Sequence, residues 1–242
     1  MFVEYLIVFI FGVLIGNFAT PILYRLPRGI IVYGFNKEFT RPPFCSVCYH
    51  PLKFYEYLPI LSWISTLGKC NYCKVHISYS YILLELSAGF AAILCLYLFR
   101  NNLDLYFIIF SFLVSGLIAI FIAYEHPVIP NTVTLSLIVE GIVYRTLSEK
   151  TVLSWLLSIC IVSLLSLWLL NKREFLNPEK QSLIHVILPG GAWLTNEVLL
   201  LYGIVVLFSF IIKKFFWQKL SIYGVSIAAL IFIVLYINYI NH

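Results

Sequence analysis

Charged side chains are scarce: Asp, Glu, Lys and Arg make up 11% of the 242 residues, against a hydrophobic share of 62%, where a soluble domain carries about a quarter charged residues. That shortage excludes an ordinary water-soluble core. Several apolar runs instead approach or exceed the ~18 to 20 residues a helix needs to cross a bilayer. A concentrated basic patch is also missing, because the sixteen Lys and Arg behind the net charge of +5 are divided among short loops, and this excludes nucleic acid as a partner. The first apolar run, Val3 to Tyr24, has no basic residue ahead of it, contains Glu4, and ends in Tyr24-Arg25 without a small-residue cleavage signature. It is therefore expected to stay as a first helix. Internal repeats and low-complexity tracts are not evident.

The runs predict spans over 3–24, 81–99, 104–124, 132–147, 151–170, 194–212 and 220–240. The count is seven, or eight if a shorter apolar piece at 183–188, broken by Pro189-Gly190-Gly191, belongs to a span. The expected fold is an all-α, polytopic helical membrane protein in three parts: a first transmembrane helix over 1–25, a polar loop over 26–80 and a helical core over 81–242. Between the first two spans lie Arg25, Arg28, Lys37, Arg41, Lys53, Lys69 and Lys74 against Glu38 and Glu56, so the positive-inside rule sets that loop in the cytoplasm. Lys172, Arg173 and Lys180 agree with this orientation, whereas Lys213, Lys214 and Lys219 do not. Tyr97, Tyr106, Tyr124, Trp193 and Trp217, at span ends, are expected to be interface anchors.

Four of the six cysteines form two knuckles, Cys45-Ser-Val-Cys48 and Cys70-Asn-Tyr-Cys73, twenty-one residues apart. Two thiolate pairs close a tetrahedron around zinc with no position left for chemistry, so the expected site is structural. Metal binding would supply folding energy that a short loop with little core lacks. A pair of redox-active dithiols is the competing reading, distinguished by metal content. Cys95 and Cys160 fall inside apolar spans and read as small buried side chains.

From Cys45 onward the cysteine quartet, Leu58-Pro59-Ile60-Leu61-Ser62-Trp63, Gly68, Ile77-Ser78, Tyr81 and Glu85 resemble the metal loop and second-helix entry of the bacterial type IV prepilin peptidases. Gly12-Val-Leu-Ile-Gly16-Asn17-Phe18 and Arg25-Leu26-Pro27-Arg28-Gly29 resemble that family's first helix and its exit. The resemblance covers residues 10 to 90 strongly, 117 to 131 more weakly and 187 to 203 most weakly. It implies a multi-pass protein of the bacterial inner membrane that cuts the basic leader from a type IV prepilin or pseudopilin precursor at the cytoplasmic face. Many members also methylate the new N-terminus with S-adenosylmethionine. Proteolysis in the family rests on two aspartates, one deprotonated to activate water and one protonated to polarise the carbonyl.

Neither aspartate is here. Phe121-Ile122-Ala123-Tyr124-Glu125-His126-Pro127 places Ala123 where the first is expected, and Leu188-Pro189-Gly190-Gly191-Ala192-Trp193-Leu194 places Ala192 at the second. Leu194 stands where the family has lysine, Ser80 where it has arginine and Ile82 where it has proline. A deliberate double substitution and natural drift toward a non-catalytic assembly scaffold both account for the alanines. Glu125 and Glu197 are candidate replacement acids, but five residues of helix from Ala192 to Glu197 advance about 7.5 Å and turn the side chain to another bearing. Glu85, inside the second span, is an ionisable group where burial is costly and is a supporting candidate. His50, His76, His126, His185 and His242 form no ligand spacing and are expected in loops or interfaces, with His126 beside the first motif. Oligomeric state is not legible.

Overall fold

A computed structural model of the chain describes residues 2–29, 44–126, 129–148, 178–194, 198, 202–206, 208–209 and 221–241. Among these the fold is all-helical, with two isolated β-bridges in the loop. Four helices are long and apolar enough to cross a membrane, by length and composition: Phe2–Arg28, Tyr79–Phe99, Leu103–Glu125 and Ile222–Ile240. They coincide with four of the expected spans. The 132–147 run is a helix too, although Glu140 and Arg145 make it less apolar. The 151–170 run, Cys160, Trp217, Glu197 and most of 194–212 lie outside the described residues.

The chain divides into two compact units, Met1–Tyr97 and Leu98–His242. In the first, α1 (Phe2–Arg25) packs on α3 (Tyr79–Phe99), with α2 (Leu61–Ser65) in the loop between them. Small residues set the α1–α3 approach. A Cβ on Gly12 would sit 2.5 Å from the Ala88 carbonyl oxygen, one on Gly16 would sit 2.7 Å from the Glu85 Cα, and Gly89 faces Phe9 and Val13 in return. Backbones this close leave room for hydrogen only, which is how helices gain contact where lipid supplies no hydrophobic drive. Pro21 lies inside α1 and cannot donate to the Asn17 carbonyl. The Thr20 hydroxyl donates to that oxygen at 2.8 Å instead.

The second unit contains α4 (Leu103–Glu125), α5 (Asn131–Ser148), α6 (Pro178–Trp193) and α7 (Ile222–Asn241). Asn102 caps α4, its side-chain oxygen accepting from the Leu105 N–H at 3.2 Å, and α5 starts directly after Pro130. Ser111 and Ser115 on α4 donate to Glu140 on α5. Thr134 meets His185, and Gly141 meets Ala192. Gly116 meets Ile231, and Ala123 meets Gly224. These pairs make α4 antiparallel to α5 and α7, while α5 and α6 run parallel. The end of α5 and the start of α6 therefore lie at opposite ends of the bundle.

Four expectations are corrected here. The helix does not break at Pro189-Gly190-Gly191 but continues to Trp193. The ring of Tyr202 occupies the space that a Cβ on Gly190 would fill, and its hydroxyl donates to the Val186 carbonyl at 3.3 Å. Trp193 is no interface anchor: it is buried, its Nε1–H donates to the Leu137 carbonyl at 2.8 Å, and its ring lies 3.9 Å from that of Phe112. Tyr106 is buried as well, whereas Tyr97 and Tyr124 are exposed as expected. His185 lies in the bundle rather than in a loop.

Candidate functional site

The two cysteine knuckles are local copies of each other, equivalent residues being offset by twenty-five positions with twenty-one residues between the knuckles. In the first, the Cys45 N–H donates to the His50 carbonyl and the Tyr49 N–H to the Cys45 carbonyl, at 3.0 and 2.9 Å. In the second, the Cys70 N–H donates to the Val75 carbonyl and the Lys74 N–H to the Cys70 carbonyl, at 2.9 and 3.0 Å. A β-bridge closes each knuckle, Phe44 with Pro51 and Lys69 with His76. The residue after each second cysteine turns left-handed, Tyr49 at φ 56° and Lys74 at φ 59°, a conformation costly for a non-glycine residue and held by the surrounding bonds.

This turn brings all four Sγ atoms within 4.8 Å of one another. Cys45 and Cys73 are 3.8 Å apart and Cys48 and Cys70 are 4.0 Å apart. A regular tetrahedron of thiolates at about 2.3 Å from an ion has edges of about 3.8 Å. The cluster can therefore hold a metal ion with little rearrangement. Burial raises the Cys70 thiol, but the Cys73 and Tyr72 N–H groups and the thiols of Cys45 and Cys73 bring it down to about 7. The His50 backbone lowers the Cys48 thiol, yet burial and the neighbouring Cys45, Cys73 and Cys70 push it up to about 11. Four thiolates together need a cation.

Glu56 braces the second knuckle. Its carboxylate accepts from the Lys53 N–H at 2.8 Å, from Asn71 Nδ2 at 2.8 Å and from the Tyr72 hydroxyl at 3.2 Å. Slight burial raises its pKa, but Asn71, Lys53 and Tyr72 together hold it below the usual carboxylate range. The His50 and Tyr72 rings lie 3.6 Å apart, tilted by 35°, joining the first knuckle to the second.

Glu85 is buried on α3, and its Oε2 accepts from the Ile60 N–H at 2.7 Å. Ile60 has φ 60°, ψ −50°, and immediately precedes α2. On α1, Asn17 Nδ2 donates to the Tyr57 carbonyl at 3.1 Å. One polar side chain from each apolar helix thus grips the segment Tyr57–Ile60. Glu85 is buried, and its partner is a loop amide twenty-five residues away rather than a neighbouring helix.

In the second unit, Ala123 is buried near the end of α4, with its Cβ 3.8 Å from where a Cβ on Gly224 would stand. Ala192 is buried near the end of α6, its Cβ 2.9 Å from a Cβ built on Gly141. Trp193, the next residue, meets Phe112, eleven residues before Ala123 on α4. Eleven helical residues rise about 16 Å, so the two alanines lie at different levels of the bundle and are not brought together. Glu125 ends α4, half-buried. The Leu194 carbonyl accepts from the Arg145 guanidinium on α5.

Two polar groups inside the bundle were not placed by the sequence, half-buried Glu140 and buried His185. Glu140 Oε1 accepts from Ser111 at 2.7 Å and Ser115 at 2.8 Å. A glutamate within an apolar run was the available signal. His185 Nδ1 lies 2.6 Å from the Thr134 hydroxyl, and its ring is 6.4 Å from that of Tyr223. Tyr223 adjoins Gly224, and so this polar group sits at the Ala123 level.

The fold and the cysteine cluster together define an all-helical protein with four helices long and apolar enough to cross a membrane, the first two flanking a loop whose four thiols can hold a metal ion. Residues 10–99 match the bacterial peptidase A24 N-terminal domain family. The prepilin leader peptidase/N-methyltransferase of Vibrio cholerae is 30% identical over 149 residues, 58% of this chain and 56% of that protein. The Myxococcus xanthus protein of the same name is 32% identical over 136 residues, 55% of this chain and 38% of its own length. That of Dickeya chrysanthemi is 24% identical over 230 residues, 86% of this chain and 81% of its own. The first two matches span about half the length of those relatives or less. No solved structure matches the chain significantly. Over residues 10–99, and over parts of these relatives' length, the chain is similar to the bacterial prepilin leader peptidases.

Proposed function

We propose that this protein engages the N-terminal segment of a type IV prepilin or pseudopilin precursor at the cytoplasmic face of the bacterial inner membrane and does not cleave it. The observation that carries the reading is the state of the two expected acid positions. Ala123 and Ala192 are both methyl groups, and about 16 Å of helix rise separates their levels. A carboxylate pair must lie close enough to divide its pKa values and share a proton. Glu125 and Glu140 provide no substitute pair, since Glu140 is turned onto the α4 serines. The separation counts against Ala123 and Ala192 as one blanked dyad, so the scaffold reading rests on the methyl group found at each of the two positions. If methyl transfer requires an amine freed by cleavage, S-adenosylmethionine chemistry is silent on uncut precursor too.

The loop is proposed to hold a structural zinc ion through Cys45, Cys48, Cys70 and Cys73. The donor set supports zinc, since four thiolates at tetrahedral spacing suit a closed site. Its cytoplasmic placement rests on Arg25, Arg28, Lys53, Lys69 and Lys74. The test is cleavage of a purified prepilin by the protein and by a variant carrying Ala123→Asp and Ala192→Asp, both in lipid vesicles. Silence from both is expected. Leader release by the double variant would overturn the scaffold reading and return the chain to the disabled peptidases.

A further inference from the structure

The segment Tyr57–Ile60 hangs from two membrane helices at measurable depth. Its Tyr57 carbonyl is held by Asn17, eight residues before the end of α1, and its Ile60 N–H by Glu85, six residues into α3. At 1.5 Å per residue these anchors lie roughly 12 Å and 9 Å inside the helix ends. The loop backbone therefore runs beside the terminal turns of both spans rather than above them. Irregular backbone at such depth is tolerated only where its polar groups find partners, and Asn17 and Glu85 are those partners.

Beyond the anchored segment the chain is apolar and uncovered. Leu61, Ile64 and Leu67 are 65%, 56% and 78% exposed. Leu61 and Ile64 are three apart on α2 and share one face. Trp63 turns the other way, over Gly68, whose φ is 66° and where an added Cβ would meet the indole at 2.7 Å. The Trp63 ring also lies 5.4 Å from that of Tyr79, the first residue of α3. An aromatic pair at a span's first residue marks the membrane–water boundary. Lys53, Lys69 and Lys74 are exposed around this element. Glu56, the acidic residue of 44–78, is occupied by Asn71 and Tyr72.

We infer that residues 57–67 form a membrane-seated wedge, in which Leu61, Ile64 and Leu67 enter the interfacial zone of a bilayer with anionic headgroups and hold the cysteine loop on its surface. The occupant follows from continuity with α1 and α3 and from the sign of the surrounding lysines. Leu61 and Ile64 are thereby separated in role from the metal: they fix where the loop sits, not whether it folds.

The test uses the full chain in vesicles of phosphatidylethanolamine and phosphatidylglycerol, with photoactivatable benzoylphenylalanine replacing Leu61, Ile64 or Leu67 singly. Ser46, exposed on the first knuckle, is the control, and metal content reports that each variant is folded. Lipid adducts about tenfold or more above the Ser46 level are expected at all three positions. Adducts to a second protein, adducts to residues 98–242 of the same chain, or lipid yields equal to the control would each overturn the wedge. In phosphatidylcholine vesicles the yield should fall about threefold at physiological salt. Equal yields there would overturn the anionic-lipid assignment.

Discussion

Replacing Glu85 by alanine isolates the link between the apolar helices and the metal loop. The native carboxylate accepts the Ile60 N–H at 2.7 Å, and Ile60 holds φ 60°. Removing the acceptor leaves a buried donor unpaired, which costs about 1–3 kcal/mol. The left-handed backbone adds a further stored cost of about 1–2 kcal/mol that nothing then restrains. Part of that strain relaxes as the segment opens, so the expected net loss of protection at Ile60 is about 2 kcal/mol, close to thirtyfold in an opening constant. Hydrogen exchange by mass spectrometry on the full chain in nanodiscs reads it directly at the Tyr57–Leu61 amides. Glu85→Gln retains an acceptor oxygen at the same place and should lose only about threefold. The knuckle amides should be unchanged in both variants, because their bonds are internal to the loop. Unaltered exchange at Ile60 in Glu85→Ala would refute the clamp.

Any one of Cys45, Cys48, Cys70 and Cys73 changed to serine should reduce bound zinc from one equivalent to near none, and chelation should expose residues 44–78 to protease. Elemental analysis and limited proteolysis measure both, and a metal-free protein with an intact loop would contradict the site. Glu56 has a folded pKa below its unfolded value. Its stabilisation is therefore present above about pH 4.5 and is lost as pH falls through the folded value. Being exposed to solvent, it is worth under about 1 kcal/mol, visible as an acid-dependent rise in Asn71 and Tyr72 amide exchange that Glu56→Gln should flatten. Gly12→Ala should lower the melting temperature, because its Cβ meets the Ala88 carbonyl oxygen at 2.5 Å, an overpacking cost of about 1–3 kcal/mol. Gly203→Ala, whose added Cβ meets nothing within 4 Å among the described residues, should be neutral or stabilising by up to about 1 kcal/mol. Equal melting of the two would refute the close α1–α3 contact.

Local features were legible in the sequence and distant pairings were not. The apolar runs gave α1, α3, α4 and α7 because twenty apolar residues in a row have few alternatives. The C-x-x-C spacing announced the thiol cluster, since a knuckle is built within six residues. The equivalence of the two knuckles stayed hidden because Tyr49 and Lys74, not glycine, take the left-handed turn. Glu85 could be singled out as costly to bury, but nothing near it names Ile60 as its partner. At Pro189-Gly190-Gly191 the local rule predicted a break, and packing against Tyr202 overrode it. Trp193 looked like an anchor until Gly141 supplied a seat for its ring. Likewise His185 was read by its lack of ligand spacing, when its environment was set by Thr134, fifty-one residues away.

The most direct measurement of the account is the fate of a pilin-like precursor held with the unaltered protein in inner-membrane lipid. Mass spectrometry of the recovered complex should find the precursor bound with its basic leader still attached and its N-terminus unmethylated. A shortened precursor missing that leader would contradict the claim that these helices hold substrate without an acid pair to cut it.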